Sequence, residues 1–253
     1  MSRNDKLPFA LRDGVPVHIK DVPSGLDCGC VCPAYGARLI ARKGSKRAHH
    51  FAHHAAEDCE HGYETSLHLW AKEILSKAKE IWLPAVCVEF PGTHREAERL
   101  SEETPYKIES VEIVEVLSRP ALKIHVNNDH FFYLLIKTNK SCKNDYWQLT
   151  VSTVELDLTA VGQELANNDF SVLLLNPNDK KTWVYSERAT RKLKYYEGMA
   201  TTIPLNHSTL VCPAKKISQP AYDCLRCPYI IAIDAQTPPA YHKCAYRARN
   251  PRP

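Results

Sequence analysis

Apolar residues recur at three- and four-residue steps over residues 64–82: Leu67, Trp70, Ala71, Ile74, Leu75, Ala78 and Trp82. That spacing gathers them on one side of a helix, and Glu64, Lys72, Glu73, Lys77 and Lys79 take the other faces. The stripe is wide enough to pack on a sheet. Upstream, residues 37–41 alternate, with Leu39 and Ala41 on one face and Arg38 and Ile40 on the other. This predicts a short strand ending in a turn at Lys43-Gly44. Downstream the chain reads mostly as strands, at 85–90, 108–116, 122–126, 131–136 and 154–158, with 171–175 as a last buried strand. Asn127-Asn128-Asp129 favours a hairpin turn. Residues 158–167 read as a short helix. One helix followed by several strands predicts an α+β or mixed α/β sheet.

Composition narrows the class. The chain has 253 residues, 44% of them hydrophobic and 25% charged, which is ordinary for one or two globular domains. No apolar run reaches the length of a membrane helix. Residues 1–13 lack an apolar signal segment, so secretion is not expected and a cytoplasmic protein is. The net charge of +4 permits nucleic-acid binding without arguing for it.

Local charge says more. Arg38, Arg42, Lys43, Lys46 and Arg47 surround Gly44 and suit a phosphate backbone, which such contacts hold without sequence choice. Residues 180–198 mix Lys, Arg and Tyr with Trp183, which suits single strands. They suit equally an amphipathic helix lying on the sheet, and that is the expectation.

The chain carries ten cysteines. In a reducing compartment, short spacings beside histidines read as metal sites rather than disulfides. Cys212, Cys224, Cys227 and Cys244 form a two-plus-two set around Cys-x-x-Cys in a Pro-rich tail with little apolar periodicity. Such a set grips one zinc ion tetrahedrally, and the metal supplies folding free energy that a thin core lacks. At the other end, Cys32-Pro-Ala-Tyr35 precedes His49-His50-Phe51-Ala52-His53-His54. This has the look of a zinc knuckle with tyrosine in place of a second cysteine. The best ligand set is Cys30, Cys32, His50 and His53, with Cys28, Cys59 and His61 also near in sequence.

The string CGCVCPAYGARLIARKG, then HHFAHH, then YETSLHLWAKEIL, resembles the head and first helix of the CoiA-like competence family. DCLRCPY with the later Cys244 resembles the family's tail. Glu64, His68 and Lys72 stand where that family has similar residues. The resemblance implies a restriction-endonuclease-like core of the PD-(D/E)xK class, between a zinc-knuckle head (1–62) and a four-cysteine zinc-binding tail (201–253). The nuclease-like domain then spans 63–200.

In that class an Asp and a Glu-x-Lys hold a hard cation such as Mg²⁺, which activates water. Here the Pro-Asp position reads Pro120-Ala121, and Glu-x-Lys reads Leu135-Ile136-Lys137. Alanine and leucine offer no oxygen, so only Lys137 remains as a catalytic remnant. Glu109, Glu112, Glu115 or Asp129 are the candidates for a displaced ligand; His125 and His130 read as ordinary strand residues.

The expected function is therefore a DNA-binding accessory protein of DNA uptake, recombination or processing, acting on single- or double-stranded DNA. A recombination or nucleoprotein partner fits that role, and no membrane does. The alternatives are an active nuclease with a relocated site, which would need Mg²⁺, and a pseudo-nuclease that binds a protein partner.

Overall fold

The computed structural model describes residues 7–45, 49–55, 62–127, 130–138, 146–161, 167–206, 208–234 and 240–246. In chain order the first elements are β1 (Phe9–Arg12), β2 (Val15–His18), β3 (Leu39–Arg42), β4 (His50–His53), α1 (Gly62–Lys77) and β5 (Glu80–Leu83). Next come β6 (Val86–Val88), β7 (Glu98–Ser101), β8 (Thr104–Val116), β9 (Arg119–Val126), β10 (His130–Lys137) and β11 (Thr153–Asp157). The rest are α2 (Asn167–Leu175), β12 (Lys181–Tyr185), α3 (Glu187–Met199), β13 (Thr201–Pro204), β14 (Thr209–Val211), β15 (Ser218–Pro220), β16 (Ile230–Asp234) and β17 (Tyr241–Cys244). The architecture is mixed α+β.

The chain divides into two compact units, Met1–Pro84 with Glu103–Tyr185, and Ala85–Glu102 with Ser186–Pro253. These differ from the boundaries suggested by the sequence. The head is not set apart from α1: Leu7, Phe9, Cys28, Leu39 and Phe51 share one apolar core with Leu67 and Trp70. Ser66, fully buried on α1, fastens β1 by accepting from the Phe9 N–H (3.1 Å) and donating to the Phe9 carbonyl (3.0 Å). Phe9 stacks on Trp70 at 4.6 Å, and Trp70 meets Phe170 at 4.4 Å.

The first unit is organised by a six-stranded sheet of order β12-β11-β10-β9-β8-β5. Every neighbouring pair is antiparallel except β10 and β11, which are parallel. Period-two alternation gives the sheet two faces. Leu122, Ile124, Val126, Phe132, Leu134, Ile136, Val154 and Leu156 enter the core, against which α1 packs. The sheet nearly closes through side chains of one edge strand. Lys181 Nζ donates to the carbonyls of Trp82 (2.7 Å) and Leu174 (3.2 Å), and Trp183 Nε1 donates to that of Pro84 (2.9 Å).

Three expected elements change. The first helix stops at Lys77, because the following residues switch to alternation and bury Ile81 and Leu83 in β5. Residues 171–175 are helical rather than a strand. A short apolar run does not distinguish the two; Phe170 and Leu174, four apart, are buried while Val172 is 54% exposed. Residues 180–198 split into β12 and α3. Of the expected helix at 158–167, residues 158–161 form a turn instead and 162–166 lie outside the described residues, as do Asn128 and Asp129 of the hairpin turn.

In the second unit, α3 packs on β6 and β16, with Ala189, Leu193 and Tyr196 beside Val88, Phe90 and Ile231. Tyr196 donates to the Glu98 carboxylate at 2.8 Å. A side chain at Gly92 would place its Cβ 2.7 Å from the Ile233 carbonyl, so only glycine lets these backbones approach. No helix among the described residues is long and apolar enough to cross a membrane.

Burial lowers the Lys181 ammonium to about 8, against a smaller opposing pull from Glu103. In the unfolded chain a lysine titrates near about 10.4. Between those values the unfolded state holds a proton that the folded state has released, so this group makes stability rise with pH. Urea unfolding of wild type should gain stability relative to Lys181→Met between pH 8 and 10. A constant difference would show that Lys181 stays charged in the fold.

Candidate functional site

The face of the large sheet opposite the core residues Leu122, Ile124, Leu134 and Ile136 carries the residues that chemistry would use. On β9 these are Arg119, Ala121, Lys123 and His125; on β10, Phe131, Tyr133, Leu135 and Lys137; on β11, Thr153, Glu155 and Asp157. Registers align them: Phe131 with His125, Tyr133 with Lys123 and Thr153, Leu135 with Glu155, and Lys137 with Asp157.

The positions expected to carry carboxylates are dry. Ala121 is 0% and Leu135 1% exposed. Lys137 does not stand alone. Its ammonium lies 3.4 Å from Glu155 and 3.8 Å from Asp157, both on the neighbouring strand. The Tyr146 hydroxyl also donates to Glu155. Burial raises the Glu155 carboxyl above its usual range, and Lys137 partly offsets this. Asp157 is also penalised by burial, but hydrogen bonds from Thr159 and the charge of Lys137 outweigh that and hold it below its usual range.

A second pair sits close by, with Arg119 3.6 Å from Glu64 on α1. His68, one helical turn after Glu64, bonds the Glu64 carbonyl through Nδ1 at 2.7 Å and is fully buried. Its Nε2 has no hydrogen-bond partner. Burial, then the charge of Arg119, lower its pKa to about 4, so the ring is neutral near pH 7. Lys72, the third residue of that helical trio, is half-buried.

Sequence reasoning did not find Glu155 and Asp157. The alternation of residues 153–157 shows which way they point, but only the parallel pairing of β11 with β10 brings them to Lys137. Of the displaced ligands considered, Glu112 lies on the same face but bonds His125 (3.2 Å) and Lys123 (3.4 Å) at its far end.

In the head, β3 alternates as expected, with Leu39 and Ala41 buried and Arg38 and Arg42 exposed. Lys43 is used structurally: its ammonium bonds the carbonyls of Lys20 (3.1 Å) and Val22. Lys46 and Arg47 lie outside the described residues, as do Cys59 and His61. Cys28, Cys30 and Cys32 are all buried. His53 pairs with Leu39 and His50 with Arg42, so the two histidines take opposite faces of β4, although His50 is itself buried. The alternation therefore separates His50 from His53. Both ring nitrogens of His53 are buried without a hydrogen-bond partner.

The tail thiols converge. Cys212, Cys224, Cys227 and Cys244 belong to one apolar cluster with Ile203, Leu210 and Ile230. Burial, then the other three thiols, push Cys244 up to about 11. Cys224 is raised too, by burial first and then by Cys227, Cys212 and Asp223. The donors gather without being in ligand geometry: no group of three or more His, Cys, Asp or Glu among the described residues is so arranged.

Head and tail share a turn that the sequence reading missed. The Cys32 N–H bonds the Ala37 carbonyl (2.7 Å) and the Gly36 N–H bonds the Cys32 carbonyl (2.8 Å). The Cys212 N–H bonds the Ile217 carbonyl (2.9 Å) and the Lys216 N–H bonds the Cys212 carbonyl (2.7 Å). Gly36 and Lys216 both take positive φ, 69° and 57°. The signal was the repeated Cys-Pro-Ala at 32–34 and 212–214.

Removing one partner of a buried ion pair costs far more than replacing both. Lys137→Met should destabilise the protein by ~3 kcal/mol or more. The double variant Lys137→Met/Glu155→Leu should recover most of that loss in urea unfolding. Equal costs would show that water already solvates the pair.

Comparison with family models, with curated proteins and with solved structures finds no match to this chain.

Proposed function

We propose that this chain is a DNA-binding accessory protein, similar to the CoiA-like family, that keeps a nuclease-type sheet without its hydrolytic metal. The observation that carries the lack of hydrolysis is the pair of sealed hydrocarbon side chains, Ala121 and Leu135, beside a lysine already held by Glu155 and Asp157. A restriction-endonuclease-like core is supported by α1 packed on antiparallel β8-β9-β10, followed by the parallel strand β11. The partner class rests on the resemblance and on the outward cations Arg38 and Arg42.

A second reading has one specific observation in its favour. Glu155 sits in register with Leu135, so the lost carboxylate has a counterpart one strand over. Together with Asp157 it would offer oxygen ligands to Mg²⁺, which would supply a metal-bound water for phosphodiester cleavage.

Incubation with plasmid and oligonucleotide DNA in Mg²⁺ or Mn²⁺ separates the two. Wild type should bind DNA in gel shifts, with affinity falling as salt rises, and should not cut it. Arg38→Ala/Arg42→Ala should weaken binding several-fold. Cleavage by wild type that disappears with EDTA and in Glu155→Gln would select the second reading.

The four tail thiols support a structural zinc ion held by Cys212, Cys224, Cys227 and Cys244. The separation of His50 from His53 argues against a second ion on the expected head set. Metal analysis should find about one zinc per chain. Cys224→Ser/Cys227→Ser should abolish it and lower the melting temperature. Two equivalents, one of them surviving that substitution, would place a second ion in the head.

A further inference from the structure

One half of the outer sheet face is dry, and the other is not. Near the β9–β10 turn, His125, Phe131, Tyr133 and Lys123 are each half-exposed. Phe131 and Tyr133, two apart on β10, have ring centroids 5.7 Å apart. His125 lies 5.5 Å from Phe131, and the Lys123 ammonium lies 4.6 Å above the Phe131 ring. Neither aromatic ring belongs to an apolar core cluster.

Cross-strand aromatic pairs stabilise sheets modestly, which accounts for the ring contacts. It does not account for keeping three flat rings and an ammonium at a partly open surface. Those two chemistries together fit unpaired bases, whose π faces stack on rings while cations meet the phosphates. A duplex hides its base faces and has no use for such rings. We propose that the His125–Phe131–Tyr133–Lys123 patch is a stacking platform for unpaired bases, and that single-stranded nucleic acid is the form this chain takes. This rests on the DNA-binding reading above and adds the strandedness and the surface.

Glu112 is the tuning residue of the platform. Its carboxylate holds both Lys123 (3.4 Å) and His125 (3.2 Å), and so competes with a phosphate for the same cation.

The test measures fluorescence anisotropy of a labelled oligo(dT), an abasic strand of equal length and a blunt duplex, at one fixed salt. Wild type should hold oligo(dT) at least tenfold more tightly than the abasic strand. Phe131→Leu/Tyr133→Leu keeps apolar bulk and should lose about tenfold or more on oligo(dT), since each stacked base is worth that much. Its duplex binding should not change. Glu112→Gln should tighten oligo(dT) binding several-fold. Wild type binding the abasic strand as well as oligo(dT) would overturn the platform and leave the DNA-binding reading standing. So would the leucine variant binding oligo(dT) as wild type does. Failure of wild type to bind any of the three probes would remove the DNA-binding reading, and the platform with it.

Discussion

The Lys137 ammonium, held between Glu155 and Asp157, is the contact on which the outer sheet face depends. Burying a carboxylate as deeply as Glu155 is expensive unless a cation and donors meet it. Lys137 supplies the charge and Tyr146 the hydroxyl. With both in place the middle of this face can be dry, and Ala121 and Leu135 fill it with hydrocarbon. A hydrolase needs the reverse, with oxygens turned toward an ion and water. The same lysine cannot serve both arrangements equally well, because here its charge is already spent on a neighbouring strand.

That contact follows from topology. A parallel pair needs a crossover connection, unlike a hairpin. The chain between β10 and β11 brings Tyr146 to the outer face, where its hydroxyl reaches Glu155. The crossover thus accompanies the dry half, while the half beside the β9–β10 turn keeps its rings and its lysine partly open. One strand, β10, contributes to both: Leu135 and Lys137 to the first, Phe131 and Tyr133 to the second. Such a division arises without any special device, from alternation and from a single parallel pairing.

Much of this was legible in the sequence, and what was not has a physical reason. Alternation in 108–116, 122–126 and 131–136 located β8, β9 and β10, and the Trp70–Leu75 spacing located α1. Local pattern failed where one stretch satisfies two periods. Ala78 and Trp82 continue a helical stripe, yet Ile81 and Leu83 alternate as a strand, and burial of the latter pair decided the outcome. Residues 172–175 are apolar throughout and so carry no period at all. The candidate site was readable only in its losses. Ala121 and Leu135 stand out where oxygens are expected, but Glu155 is eighteen residues beyond Lys137, and no local pattern announces that β11 lies parallel beside β10.

The cysteines carry the same lesson on a smaller scale. Spacing alone grouped the four tail thiols, and they do share one cluster, because a Cys-x-x-Cys turn and two short hairpin strands leave few other arrangements. Spacing also grouped His50 with His53, and these lie three apart on a strand rather than on a helix. On a helix a three-residue step keeps side chains together; on a strand it sends them to opposite faces. Apolar packing also anchors the head: Phe51, Leu39 and Cys30 lie in the same core as Trp70.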